Sequence, residues 1–333
     1  MLEHGGQLRR MAHAYGIPPD NWLDLSTGIN PEPWPVPSIP IRFWNRLPEN
    51  ADGLEEAAQA YFQTPHLLPT AGSQAIIQIL PRLFPARKIG ILAPTYAEYA
   101  QAWSGAGREV IFLPHDTLSL PPDHVDLLVV VNPNNPTGFR RTPEMLLSWA
   151  KHLARNERWL VVDEAFMDTT PEQTLSLRAG VPGLIILRSL GKFFGLAGAR
   201  CGFLLAPPEL LVQAVGLLGP WSIPGPSRFV ATLALQDHAW QKSARLHLAA
   251  CSRRLASLLA RHNLPPSGST DLFQWVVTPH ARHLQDHLAK NAILVRAFDH
   301  PPSLRFGLPG NESAWERLEK ILSCQVVQPG NSY

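Results

Sequence analysis

Short apolar runs alternate with helix-spaced segments between about Ala71 and Pro207. The runs at 89–92, 109–113, 127–131, 159–162, 184–187 and 202–205 are rich in Val, Ile and Leu and alternate little, which predicts strands buried on both faces. Helical spacing at 73–83, 97–106 and 143–156 falls before or between them. Strand and helix in alternation predict an α/β fold, a mostly parallel central sheet covered by helices on both faces. After a Gly/Pro-rich break at 219–226, one long helical pattern runs from Ser227 to about His262, with Val230, Leu233, Ala234, Leu255, Leu258 and Leu259 at roughly helical spacing. The rest reads as strand (272–277), helix (280–290), two strands (293–296, 304–307) and helix (314–322), a small α+β domain, with a tail from Gln325 expected to fray. The expected organisation is therefore an N-terminal segment (1–45), a large domain (46–226), and an interdomain helix with the small domain (227–333).

Composition sharpens this picture. With 333 residues, 45% hydrophobic and 17% charged, the chain is long and apolar enough for a large core. A formal net charge of +2 supplies no basic field of the kind nucleic acid attracts. Ten of the 33 prolines fall between Pro18 and Pro69, so that stretch is expected to be extended and loop-rich. Cys201, Cys251 and Cys324 form no Cys-x-x-Cys pair, which argues against a disulfide framework or a zinc site. The first ten residues hold no apolar core of a leader, and the apolar runs are too short to span a bilayer. The expectation is a soluble, cytoplasmic protein without metal, membrane or nucleic-acid partner.

Three blocks carry chemistry. Asn132-Pro133-Asn134-Asn135-Pro136-Thr137-Gly138 comes first, then Val162-Asp163-Glu164-Ala165-Phe166, then Ser189-Leu190-Gly191-Lys192 with Arg200 eight residues on. In that order they resemble the aspartate-aminotransferase superfamily, the fold type I enzymes that use pyridoxal 5′-phosphate (PLP). The resemblance implies a set of partners. PLP acts as an electron sink, so it needs an amine, a carboxylate at its ring nitrogen, a donor to its ring hydroxyl and a cradle for its phosphate.

By this resemblance Lys192 is the Schiff-base lysine. Apolar Phe193, Phe194 and Leu196 and cationic Arg200 are a setting that favours the neutral amine. Taken alone, a lysine at this place is more often an exposed surface cation. Asp163, at the C-terminal end of its strand, is where open α/β sheets bind ligands; the resemblance puts its carboxylate at the ring nitrogen, while the bland alternative is a turn or cap aspartate. Asn135 resembles the donor to the ring hydroxyl; by itself the motif is a turn. Gly72, Ser73 and Gln74 open a helical pattern whose free N–H groups suit a phosphate, with Ser189 and Arg200 completing the cradle; Ser73 as a plain N-cap is the alternative. Tyr96 resembles the aromatic stacked on the ring, whereas Tyr99 reads as core packing.

Two segments narrow the resemblance further. His4-Gly5-Gly6, followed by Leu23-Asp24-Leu25-Ser26-Thr27-Gly28-Ile29-Asn30-Pro31, is similar to the N-terminus of the L-threonine-O-3-phosphate decarboxylases of cobalamin biosynthesis. That implies PLP-dependent loss of carbon dioxide from a substrate carrying both a carboxylate and a phosphate, and a homodimer. Arg305, between Leu304 and Phe306, resembles the arginine that grips the carboxylate in a planar fork. His4, the backbone of Gly5 and Gly6, and Arg296 are candidates for the phosphate, with Gly28 and Asn30 beside them. Two departures stand out. Phe166 occupies the place of a tyrosine that donates to the ring hydroxyl in aminotransferases, and Leu47 that of a tyrosine reaching the neighbouring subunit's cofactor phosphate. Two other readings stay open here: an aminotransferase resembling histidinol-phosphate aminotransferase, and a non-catalytic PLP-fold binding module.

Overall fold

A computed structural model of the chain describes residues 4–324. The expected frayed tail from Gln325 lies outside the described residues. The chain divides into two compact units, one of residues 33–248 and one of residues 4–32 with 249–324. The boundaries read from the sequence, after residues 45 and 226, both lie inside the first of these.

The larger unit is built on a seven-stranded sheet. Its order is Leu67–Thr70, Gly202–Leu205, Leu184–Ser189, Trp159–Asp163, Leu127–Val131, Lys88–Ala93, Glu109–Pro114. All neighbours pair in parallel except around Gly202–Leu205, which runs antiparallel to both the strands beside it. The Leu127–Val131 and Leu184–Ser189 strands are buried along almost their whole length, as central strands covered on both faces must be. On one face a cluster packs Ile76, Leu80, Tyr99 and Trp103 from two helices onto Ile91, Val129, Val161 and Ile185. At roughly 25 cal/mol per Å² of apolar surface buried, each such Leu or Ile contributes about 1.5–3 kcal/mol.

Consecutive strand ends therefore meet along one edge. Leu127–Val131, Trp159–Asp163 and Leu184–Ser189 run in parallel, so the loops after Val131, Asp163 and Ser189 leave the sheet on the same side. Hydrogen bonds lock those loops together: Asn132 N–H donates to Asp163 O at 2.8 Å, and Glu164 N–H to Leu187 O at 2.8 Å. Below them the Arg188 guanidinium, 2% exposed, bridges Glu164 at 2.7 Å and Asp168. Removing one partner of so deeply buried a pairing costs about 3–5 kcal/mol, because the other charge stays behind in low dielectric. The bridge thus ties the residue after Asp163 to the residue before Ser189.

The predicted single helix from Ser227 is two helices, Gly225–Gln236 and His238–Arg261. Asp237 ends the first and starts the second: its Oδ1 accepts from Trp240 N–H at 3.0 Å, an N-cap bond. The division between the units falls within the second helix.

The smaller unit holds a four-stranded antiparallel sheet, ordered Arg296–Asp299, Pro302–Gly307, Phe273–Val277, Gly268–Thr270. Leu23–Asp24 pairs in parallel with Ile293–Leu294. The helix Leu8–Tyr15 packs Ala12 with Trp22, Ala289 and Leu294.

Candidate active site

One pocket of the larger unit is lined by Lys192, Asp163, Asn135, Tyr96, Gly72, Ser73, Gln74, Ser189 and Arg200, together with Val131, Ala165, Phe166, Gly191 and Ala197. The first nine come from six places between residues 72 and 200, and the parallel strand ends gather them. Asp163 is the last residue of its strand and is 3% exposed. Its Oδ1 accepts from the Ala165 N–H at 2.9 Å and its Oδ2 from the Tyr99 hydroxyl at 2.8 Å. Both donors are neutral, and burial pushes the carboxyl upward against those bonds and against Lys192 and Arg188. A buried carboxylate held only by neutral donors calls for a cation, and a protonated ring nitrogen is one.

The phosphate end is equally built. Gly72, not Ser73, is the N-cap of helix Ser73–Leu83, so Ser73 is the first residue of its free N-terminal turn. A Cβ on Gly202 would stand 2.7 Å from the Ser73 nitrogen and 2.8 Å from Arg188 O, so the strand can approach that turn only with glycine there. A Cβ on Gly72 would stand 2.8 Å from Arg200 Nη2, which places the guanidinium against the same turn. Ser189 Oγ, one strand over, accepts from Gly191 N–H at 3.2 Å. Gln74 is held by Glu98, whose Oε2 accepts from its Nε2 at 2.7 Å. Tyr96 is part-buried, and burial, with Glu98 and Asp163 nearby, raises its hydroxyl to about 12, so it stays protonated.

Asn134, the neighbour of Asn135, ties the loops: its Nδ2 donates to Pro94 O and Thr137 Oγ1, both at 2.8 Å, and its Oδ1 accepts from Thr95 Oγ1 at 2.7 Å. The amide therefore fixes the residues flanking both Tyr96 and Asn135. Lys192 is half-buried, its Nζ 5.4 Å from the centre of the Phe166 ring. The aromatic at this place offers the amine a π face and no hydroxyl. Phe193 and Phe194, expected to shelter the lysine, pack with Trp240, ring centroids 5.4 and 5.7 Å away.

The residues expected to bind substrate belong to the smaller unit. Arg296 and Arg305 are directly opposite each other on adjacent strands. Arg305 is buried and donates through Nη2 to Ser26 O. Burial, and then Arg296, pull its guanidinium down to about 10 while Asp24 opposes them. Two guanidiniums so placed favour a ligand of more than one negative charge. His4 and Arg296 line one cleft together with Arg10, Arg282, Gln7 and Ser26. Arg10 and Arg282 escaped the sequence reading because surface arginines on helices carry no local signal of a site. Gly6 spends its N–H on Ser26 Oγ at 2.8 Å, and a Cβ on Gly5 would stand 2.3 Å from Ser26 O. Those glycines let the N-terminal segment lie on the Ser26 loop. Gly28 has φ +60°, and Asn30 Oδ1 accepts from Glu32 N–H at 2.9 Å, closing the turn that follows.

Residues 46–320 match the model of the aminotransferase class I and II family. The chain belongs to that family. A threonine-phosphate decarboxylase of Pseudomonas aeruginosa is 51% identical over 97% of both chains. One of Sinorhizobium sp is 40% identical over 97% of this chain and 98% of its own. Within the aminotransferase class I and II family, these similarities put the chain with the threonine-phosphate decarboxylases. A solved histidinol-phosphate aminotransferase of Sinorhizobium meliloti, in complex with pyridoxal-5′-phosphate, has a TM-score of 0.82 at 20% identity, covering 97% of this chain and 95% of that one. That is a likeness of fold. The family's cofactor is PLP, and the pocket around Lys192 fits it at the ring nitrogen and at the phosphate.

Proposed function

We propose that the chain is a PLP-dependent carbon–carbon lyase that decarboxylates L-threonine O-3-phosphate to (R)-1-amino-2-propanol O-2-phosphate in cobalamin biosynthesis. The observation that carries this is the convergence of Lys192, Asp163, Ser189 and Arg200 on one pocket, in a chain half identical over its length to a threonine-phosphate decarboxylase. PLP, when bound, supplies the electron sink into which the Cα–carboxylate bond discharges.

The chain's own residues divide the remaining work. Lys192 Nζ binds the cofactor and, after carbon dioxide leaves, delivers a proton to Cα, so that one proton replaces the carboxylate. Asp163 holds the proton on the ring nitrogen. Asn135 would donate to the ring hydroxyl, Tyr96 would lie against the ring, and the Gly72–Gln74 turn, Ser189 and Arg200 would hold the cofactor phosphate. The substrate carboxylate goes to Arg305. Its phosphate goes to the cleft of His4, Arg10, Arg282 and Arg296, which gathers three arginines, one of them, Arg282, paired with Asp299 at 2.7 Å. Phe166 supports lysis over amino transfer, since it leaves an apolar ring rather than a donor beside Lys192.

We also propose a homodimer in the cytoplasm. Trp44, Leu47 and Trp221 stand 62%, 65% and 59% exposed, large apolar side chains that a second copy would cover. Among the described residues no helix is long and apolar enough to cross a membrane.

Incubation with L-threonine O-3-phosphate is expected to release carbon dioxide with an equal amount of aminopropanol phosphate. Nitrogen transfer from histidinol phosphate to 2-oxoglutarate, without carbon dioxide release from threonine phosphate, would make the chain an aminotransferase instead. Arg305→Ala is expected to raise KM for the substrate about 100-fold, in line with a lost charge-assisted fork of about 3 kcal/mol, and to leave PLP affinity within about twofold. An unchanged KM would remove Arg305 from the substrate.

A further inference from the structure

Tyr99 lies in helix Glu98–Gly105, wholly buried, and its ring joins the cluster beneath the sheet. Its spacing is that of a core residue, yet its hydroxyl is not idle. It donates to Asp163 Oδ2 at 2.8 Å while the Ala165 N–H takes Oδ1. The two donors come from different elements, one a helix and one the loop after the strand. Together they fix both the rotation of the carboxylate and the plane in which its remaining lone pairs lie. The other charged groups that bear on Asp163 are Lys192 and Arg188. Tyr96 stands beside Tyr99, ring centroids 6.4 Å apart and nearly perpendicular, on the pocket side. Burial and the neighbouring Asp163 hold the Tyr99 hydroxyl well above its ordinary range, so it is a donor at every working pH.

From this geometry we propose that Tyr99 is a positioning residue for the reaction: it aims the Asp163 carboxylate and so sets how completely the cofactor's ring nitrogen is protonated. The inference rests on the reading that Asp163 meets that nitrogen. A buried carboxylate with one donor removed can rotate about its χ2 bond, a soft torsion. A misaimed carboxylate holds the ring proton less well, and the electron sink weakens with it. The hydroxyl touches neither the substrate nor the reacting carbon, so its loss belongs in kcat and in the cofactor's protonation rather than in KM.

The test uses the PLP-loaded enzyme. Tyr99→Phe keeps the ring and removes only the donor. It is expected to lower kcat by about tenfold, the scale of one hydrogen bond to a charged group, with KM within about twofold. The pH midpoint at which the ring nitrogen loses its proton, read from the loaded protein's visible absorption, is expected to move downward, because a misaimed carboxylate favours the cation less. In an Asp163→Asn background the same change is expected to add nothing, since the carboxylate it aims is gone. Site-specific 3-fluorotyrosine at position 99, a shape-conserving and stronger donor, is expected to move the midpoint the other way and keeps the proposal testable should the Phe variant fold poorly. A Phe variant with lowered melting temperature but unaltered kcat and midpoint would make Tyr99 a packing residue and overturn the inference. A silent Asp163→Asn would instead overturn the placement of Asp163 at the ring nitrogen.

Discussion

Lys192→Ala is expected to lose both the visible absorption of the PLP-loaded protein and the decarboxylase activity, the latter by about 10⁴-fold or more. Two functions sit on one nitrogen: it carries the cofactor, and it delivers the proton that replaces carbon dioxide, which for a positioned acid or base is by itself worth about 10²–10⁴ in rate. The neighbourhood offers no substitute for it. Asp163 accepts from Tyr99 and Ala165, and Arg200 lies against Gly72. The fold should survive, because Lys192 is only half-buried and sits in the irregular stretch after the Leu184–Ser189 strand. The checks are an absorbance scan, steady-state carbon dioxide release and circular dichroism on one preparation. Activity within tenfold of the parent would remove Lys192 from the chemistry.

Asp163→Asn follows in size. It is nearly isosteric and keeps an oxygen to accept from Tyr99 or Ala165, but it removes the negative charge opposite the ring nitrogen. Losing a preorganised electrostatic partner of this kind costs about 10²–10³ in kcat, and PLP should bind more weakly. A pH signature accompanies it. Burial raises the Asp163 carboxyl in the free protein. The free protein then binds the proton more tightly than the unfolded chain, so its stability falls as pH rises from the ordinary aspartate range through the folded value. A bound cation relieves that loss. Stabilisation of the parent by PLP is therefore expected to grow with pH across this window, while the Asn variant shows no such growth. Thermal melts with and without PLP at several pH values measure both; equal pH dependence in the two proteins would contradict the pairing.

Much of this was legible in the residues because burial on both faces leaves a continuous apolar run. The strands Leu127–Val131 and Gly202–Leu205 stand where that pattern put them, and the helix Ser73–Leu83 likewise. What stayed hidden has physical reasons. Leu67–Thr70 is a short edge strand containing Pro69, a residue that edges tolerate and sequence patterns read as loop. The break at Asp237 is made by one side-chain cap inside an unbroken apolar spacing. The site motifs named the residues at strand ends, but not those that hold them. Tyr99 looked like core because its ring is core; only the distance from its hydroxyl to Asp163 reveals the other role. Glu98, Asn134 and Arg188 likewise act through contacts 20 or more positions away in sequence or on another loop. Arg10 and Arg282 joined His4 and Arg296 only once the small unit had folded.

The most direct measurement is borohydride reduction of the PLP-loaded wild-type protein, followed by proteolysis and mass spectrometry of the labelled peptide. The reduced protein is expected to carry one pyridoxyl phosphate per chain, on Lys192. A label on Lys88, Lys151 or any other lysine, or a protein that binds PLP yet takes up no label, would contradict that assignment.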